Sequence, residues 1–475
     1  ALAGEIVLDT EYQQGEVRNN ADKTLDNVYA QASYLLSDNT QLMANMSIKQ
    51  GEWGKPSRDG TGSGNAKFER VDDYQAKTFQ LGLAHKFNDM FTLRGFGCYN
   101  QSGVVETQYK DQSYQAIKAQ QDGRSTVEGG NLQFISNFAQ AGVLTSAIIA
   151  EKQSWQSQAI ATNQQTKQGS GGSGKGGTGG GNGGGNGSGG GSASSDNFDD
   201  AAWLYTAALE YQYQADDYGV TLGGALHDQD RVAESESDYS GQLSGYWQAL
   251  QHTRFNMGIA RKVRFPSMRN LYAQSSGNAE LQAEVSQHLE LGLLQDLGYS
   301  TTVNIAGFYT DTEDYIAKDL AGVYHNMGDY NFKGVDLQLQ NNSIDDLSMS
   351  FMYSFLDTED KSAVDSLQTL EYRPRHQLRL QAQYQLPFAM RINLNVERIM
   401  DQIYYAQQKV GGEKILLEQS LDDYTLVDIN LVQPLLEDKL ELYLRATNLF
   451  DENYYQSESL PQAGRQVFIG LHWQL

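Results

Sequence analysis

The stretch RKVRFPSMRNLY (261–272) gathers four cations, Arg261, Lys262, Arg264 and Arg269, about two aromatic residues, Phe265 and Tyr272. Groups of this kind can hold an anionic chelate: guanidinium through paired N–H bonds to carboxylate-type oxygens, ammonium as a mobile point charge. Two tyrosine pairs, Tyr404-Tyr405 and Tyr454-Tyr455, offer ring faces that would suit the same ligand. Each feature also has a plainer use. The cationic run can serve as scaffold, and tyrosines settle at a lipid–water boundary, ring in lipid and hydroxyl in water. Acidic runs at 311–314, 357–360 (both DTED) and 234–238 (ESESD) have the carboxylate density calcium favours, and equally that of a solvated loop.

Nothing in the chain points to covalent chemistry. The seven histidines (His85, His227, His252, His288, His325, His376, His472) form no H-x-x-x-H pair, and no G-x-S-x-G, phosphate-loop or C-x-x-C pattern occurs. Cys98 is the sole cysteine, so no internal disulfide can form. No catalytic residue, metal site or cofactor is expected. A formal net charge of -24 argues against nucleic acid, whose phosphates require clustered Lys and Arg.

What must position these residues is legible in the patterning. No apolar run reaches the ~18 to 20 residues a transmembrane helix needs. Instead apolar and polar residues alternate: Leu289, Leu291 and Leu293 with His288, Glu290 and Gly292, and Ile392, Leu394 and Val396 with Asn393, Asn395 and Glu397. About 20 such segments run through the chain, many close to the roughly 9–11 residues of a tilted membrane-crossing strand. Tight turns (85–90, 215–219, 296–300, 342–346, 386–388, 434–438) alternate with long polar loops (51–73, 155–200, 264–285, 358–374, 400–422). The pattern predicts an all-β fold, one antiparallel membrane-spanning barrel over 1–475, with about 20–22 strands, short periplasmic turns and long extracellular loops. Tyr299, Tyr384, Tyr443 and Trp473 fall near strand ends, as interface aromatics would.

The last strand, QVFIGLHWQL, places Val467, Ile469, Leu471, Trp473 and Leu475 on one face and is expected to close the barrel against an early strand. Ala1-Leu2-Ala3 reads as the remnant of a signal-peptide cleavage site. Residues 169–192 are almost wholly Gly and Ser and read as a flexible segment inside one long loop.

The C-terminal NLFDENYY (448–455) followed by GRQVFIGLHWQL (464–475) resembles the end of TonB-dependent outer-membrane receptors. RKVRFPSMRNLY, NAELQAEVSQHLELGL (278–293) and NMGDYNFKGVDLQLQ (326–340) are similar to further segments of that family, in the same order. The resemblance covers most of the chain from residue 261 onward; residues 1–260 match only in style. It implies a barrel, there of 22 strands, in the outer membrane of a Gram-negative bacterium, and a scarce small-molecule nutrient such as a ferric siderophore or cobalamin. It also implies outer-membrane lipid around the barrel, TonB acting through an N-terminal plug, the barrel-assembly machinery during biogenesis, and a monomer. No plug segment precedes Gly4 in the sequence read here, which leaves a plugless diffusion channel as the alternative. Where the family ends on phenylalanine, Leu475 stands; Gly470, Trp473 and Leu475 keep the spacing of the assembly signal. An outer-membrane hydrolase would need a Ser-His or Asp-His constellation, and no convincing one is present.

Overall fold

A computed structural model describes residues 5–13, 18–57, 67–161, 198–232, 234–273, 276–318, 322–363, 367–410, 413–436 and 439–474. Residues 1–3, the glycine-rich segment 169–192 and Leu475 lie outside that set. The strands follow in chain order: β1 Glu5–Gln13, β2 Lys23–Ser37, β3 Thr40–Lys55, β4 Phe68–Lys86, β5 Phe91–Tyr109, β6 Ile117–Asn137 and β7 Val143–Ala161. Then come β8 Phe198–Gln214, β9 Tyr218–Asp230, β10 Ser235–Leu250, β11 Thr253–Arg264, the short helix α1 Met268–Tyr272, β12 Glu284–Gly298 and β13 Thr301–Glu313. The remainder are β14 Ile316–Lys318, β15 Tyr324–Asn326, β16 Tyr330–Ile344, β17 Leu347–Asp360, β18 His376–Gln385 and β19 Arg391–Met400. The chain finishes with β20 Gln402–Val410, β21 Glu413–Leu421, β22 Tyr424–Leu435, β23 Leu440–Thr447, β24 Tyr455–Ser457, β25 Leu460–Pro461 and β26 Gln466–Gln474.

Twenty of these strands form one antiparallel sheet, at the lower end of the expected range. The other six pair off as hairpins, β14–β15, β20–β21 and β24–β25, in the loops. With the loop hairpins set aside, sheet neighbours follow chain order, and the last strand pairs back onto the first, Gln466 opposite Gln13 and Gln474 opposite Glu5. That is the pairing with an early strand the alternating C-terminus foretells. Among the described residues β2 pairs only with β3, and all fifteen of its residues are exposed.

Connections at one end are tight. Between β12 and β13 only Tyr299 and Ser300 intervene, both with φ near +50°, as a two-residue hairpin turn of the primed kind requires. The opposite end carries the long connections, including 265–283, 314–329, 361–375 and 401–423.

The period of two sets the chemistry of each face. Along β4, exposed Lys77, Phe79, Leu81 and Leu83 alternate with half-buried Thr78, Gln80 and Gly82. The exposed set is the convex outer wall: Leu81, Leu132, Ile148, Leu209, Leu222, Leu226 and Leu291 are each more than half exposed. In a water-soluble protein a belt of this size would drive aggregation; in a bilayer it is the lipid-facing surface. The inner face carries paired charges, Arg379 with Glu397 at 2.5 Å and Arg391 with Glu441 at 2.5 Å. Tyr443 departs from expectation. It lies between exposed Leu442 and Leu444 and so belongs to the inner face, whereas Tyr384 and Trp473 do lie exposed.

A small apolar core sits at the long-loop end, where α1 packs Met268 and Leu271 against Trp155, Ala202, Leu281 and Ile316. Ser267 caps α1, its hydroxyl accepting from the N–H of Asn270 while the Asn270 side chain accepts from the N–H of Ser267. Burying Met268 and Leu271 contributes roughly 1.5–3 kcal/mol each, enough to fix a segment too short to be helical alone.

Candidate functional site

The long-loop end and the inner wall beneath it hold the residues that could meet a ligand, and the structure divides them sharply. Arg264 continues β11 opposite Glu284 at the start of β12, and donates to both carboxylate oxygens, Nε to Oε2 at 2.5 Å. Glu284 is buried, and its Oε1 also accepts the N–H of Ile316 at 2.6 Å. Arg261 pairs with Asp238 at 2.8 Å and lies 4.1 Å above the Tyr239 ring. Phe265 meets the edge of His227 at 6.4 Å, and the carbonyl of buried Pro266 accepts from Gln229 at 3.3 Å. Arg269 approaches Glu106 at 3.9 Å, which already holds Lys55 at 2.7 Å. Tyr272 stacks on Phe198 at 4.6 Å, and burial pushes its hydroxyl above the ordinary range. The cationic run is thus mostly consumed in holding β11, β12 and α1 together.

Lys262 is different. It is exposed, makes no ion pair among the described residues, and lines an inner-wall cavity of about 350 Å³ with Glu210, Ser240 and Gln242. Glu210 accepts from Gln242 at 2.8 Å and from Gln212 at 2.7 Å, so the cavity presents a free ammonium beside an anchored carboxylate.

The tyrosine pairs stand on loop elements. Tyr404 and Tyr405 belong to the β20–β21 hairpin, inside a stretch expected as plain loop. Tyr404 stacks parallel to Tyr372 at 6.5 Å; Tyr405 donates its hydroxyl to the carbonyl of Thr369 at 2.9 Å and its N–H to Glu371 at 2.6 Å. Tyr454 leans on Tyr424 at 4.6 Å, and Tyr455 opens β24 opposite Pro461. Burial is the leading cause that raises the hydroxyls of Tyr405 and Tyr454. Among the described residues no hydrogen bond or ring contact joins these pairs to the 261–272 run, so the ten candidates do not form one patch.

The acidic runs are neutralised by cations. Asp311 pairs with Lys361, Asp357 takes Lys333 at 3.1 Å and Arg375 at 2.6 Å, and Glu236 takes Arg231 at 3.3 Å. Among the described residues no group of three or more His, Cys, Asp or Glu could hold a metal ion.

Two arrangements escaped sequence reasoning. On the inner wall of β17, β18, β19, β22 and β23, side-chain amides of Gln381, Gln383, Asn393, Asn395 and Asn430 converge with Arg445 on a cavity of about 530 Å³. The alternation signals a polar face there, but only strand register brings these amides together. At the loop end Tyr109 and Tyr114 meet at 5.5 Å, Tyr114 meets Phe68 at 6.0 Å, and Tyr109 donates to Asp72 at 2.8 Å. No local spacing marks that cluster.

A twenty-stranded antiparallel sheet, outward-apolar and inward-polar, with one looped end and its last strand paired back onto its first, defines a β-barrel of the outer-membrane receptor class. The chain belongs to the family described as TonB dependent receptor-like, beta-barrel, whose pattern it matches over residues 9–449. Among solved structures it is similar to FpvA of P. aeruginosa bound to heterologous pyoverdines, at 13% identity and TM-score 0.75, covering 100% of this chain and 68% of that one. The copper transporter OprC gives 12% identity and TM-score 0.76, with 100% and 76% covered. The ferric-catecholate import receptor Fiu of K12 E. coli gives 13% and 0.71, with 100% and 80% covered. Identities this low speak for the fold; membership of the family makes the chain the barrel of an active outer-membrane transporter of a Gram-negative bacterium, and decides against a passive channel. It is a family of receptors, not of enzymes.

Proposed function

We propose that this barrel captures a metal chelate at its looped end and passes it along the polar inner wall when TonB supplies the work. The observation that carries the reading is the inner wall itself: free Lys262 above Glu210 and Gln242 on one side, the amide array of Gln381, Gln383, Asn393, Asn395 and Asn430 on the other. Amides and one free cation can exchange successive hydrogen bonds with an anionic or oxygen-rich chelate without trapping it, whereas a wall of unpaired charges would. Of the ten candidate residues, Lys262, Tyr404 and Tyr405 are the ones we assign to the ligand; Arg261, Arg264, Phe265, Arg269 and Tyr272 act as framework, and Tyr454 and Tyr455 as loop anchors. Similar structures include a ferripyoverdine receptor bound to ferripyoverdine, a ferric-catecholate import receptor and a copper transporter, which favours a metal chelate over other nutrients. We further assign the chain to a monomeric barrel inserted by the barrel-assembly machinery.

Uptake of iron-55 supplied as pyoverdine, catecholate and hydroxamate chelates, in cells with and without the gene, tests this. Gene-dependent uptake of one chelate that stops when TonB is deleted or the proton gradient is collapsed is expected. Gene-dependent entry that persists without TonB, or no gene-dependent uptake of any metal chelate, would overturn it.

A further inference from the structure

The outer wall over β4–β7 departs from the smooth apolar belt elsewhere. Strand register sets Leu81, Gly97, Gly130 and Ala150 abreast, and beside them Leu83, Gly95, Leu132 and Ile148. Three glycines among branched residues leave a groove of about 570 Å³ in the lipid-facing surface. The space is genuine at Gly97, where a Cβ would meet nothing closer than 3.8 Å.

Polarity changes in order along the strands towards the looped end. Two residues beyond the glycines come Tyr99, Glu128 and Lys152, with Trp203 next in the row, an aromatic and charged border of the kind found at a membrane interface. Beyond Tyr99 lies Gln101, with Lys77 opposite, and beyond Glu128 follow Thr126 and Arg124. Lys77 and Arg124 are exposed and have no ion-pair partner among the described residues; Lys152 reaches Glu128 only at 4.0 Å. Above them a second cavity, of about 360 Å³, is lined by Asp122, Arg124, Gln156, Gln158 and Asp199. From Gly130 to Arg124 the strand rises about 20 Å.

We propose that this wall binds a phosphorylated glycolipid of the outer leaflet, an acyl chain in the glycine groove, a phosphate among Lys77, Arg124 and Lys152, and sugar hydroxyls at the upper cavity. The order apolar, cationic, amide-and-carboxylate is the order of such a molecule from tail to headgroup. A glycerophospholipid satisfies the lower two levels and leaves the upper cavity unused. Carboxylates and amides there suit hydroxyl donors; they would repel a second phosphate. The groove faces lipid, so its occupant enters from the membrane with no loop movement. This inference needs the barrel to stand in an outer membrane and is independent of which nutrient it carries.

The test is native mass spectrometry of the full chain, purified in detergent and incubated in turn with lipopolysaccharide, dephosphorylated lipopolysaccharide and phosphatidylglycerol. Wild type should retain lipopolysaccharide in preference to both others. Gly97→Leu, whose Cβ would meet nothing closer than 3.8 Å, and the double change Lys77→Gln with Arg124→Gln, which leaves the groove intact, should each reduce retention roughly tenfold. Equal retention by wild type and both variants, or phosphatidylglycerol held as firmly as lipopolysaccharide, would overturn the proposal. The two variants perturb different levels of the wall, so a folding defect in one leaves the other decisive.

Discussion

Among the cations of the 261–272 run, what separates scaffold from ligand group is whether a partner stands across the strand, and the sequence shows the cations without their partners. Arg264 meets Glu284 because β11 and β12 pair in one register, and Arg261 meets Asp238 on β10 for the same kind of reason. Removing the Glu284 carboxylate leaves the Arg264 guanidinium and the Ile316 N–H without their acceptor. Because Arg264 keeps contact with water, Glu284→Ala is expected to destabilise by about 1–3 kcal/mol, below the range for breaking a fully buried pair. Lys262→Ala should leave stability unchanged and weaken ligand binding alone. Thermal loss of the compact band on semi-native gels, set beside chelate affinity, separates the two, and the assignment of Lys262 fails if its change lowers stability as Glu284→Ala does. Acid gives a further residue-scale expectation. A hydrogen bond from Arg70 holds the Asp22 carboxyl below its ordinary value, while partial burial pushes the other way. A depressed carboxyl stabilises above its unfolded value near 4 and loses that contribution as pH falls through the folded one. The 18–22 segment should therefore stay docked at pH 5 and loosen below about pH 4, as read by proteolysis or by a fluorophore at Arg18. Docking that persisted at pH 2 in Asp22→Asn as in wild type would show the pair to be irrelevant.

At the scale of elements, alternation served well wherever one face meets lipid, because a period of two is imposed by the bilayer on every crossing strand. It faltered where strands leave the membrane. The stretch expected as loop at 400–422 folds into β20 and β21. Segments such as QIYYAQQKV stand in a loop outside the membrane, so pairing there follows from the neighbouring strand and leaves no apolar rhythm to read. Inner-wall residues such as Tyr443 were misjudged for a related reason: proximity to a strand end gives height in the membrane, and only phase along the strand gives the face. Pairing also predicts stability. β2 hydrogen-bonds β3 alone among the described residues and is exposed along its length, whereas β5 is laddered to β4 and β6 on both sides. Amide exchange should accordingly be fastest, among the sheet strands, in 23–37 and slowest in β4 to β7. Equal protection of β2 and β5 would mean that β2 is paired on both edges.

For the whole molecule, the decisive contact is the one between the two ends of the chain. β26 is held on one side by β23, Leu440 opposite Trp473 through Thr447 opposite Gln466, and on the other by β1. Every other sheet strand is joined to a neighbour close in sequence, so each of those ladders can form locally; only β1 with β26 must bring residues from opposite ends together. Its loop-closure entropy is the largest in the sheet. Without β26 the edges of β1 and β23 that it covers would expose unpaired N–H and C=O groups to hydrocarbon, at several kcal/mol per group where nothing else can satisfy them. Removal of residues 466–475 should therefore abolish membrane insertion altogether, while a single change on the last strand's outer face, such as Ile469→Ala, should lower stability by only about 1–2 kcal/mol, because the ladder survives and one lipid-facing side chain is shortened. The measurement is the fraction of protein that acquires protease resistance in outer-membrane vesicles. A truncated chain that inserted and resisted protease as wild type does would show that the sheet closes without its last strand, and the topology described here would then be wrong at its most consequential joint.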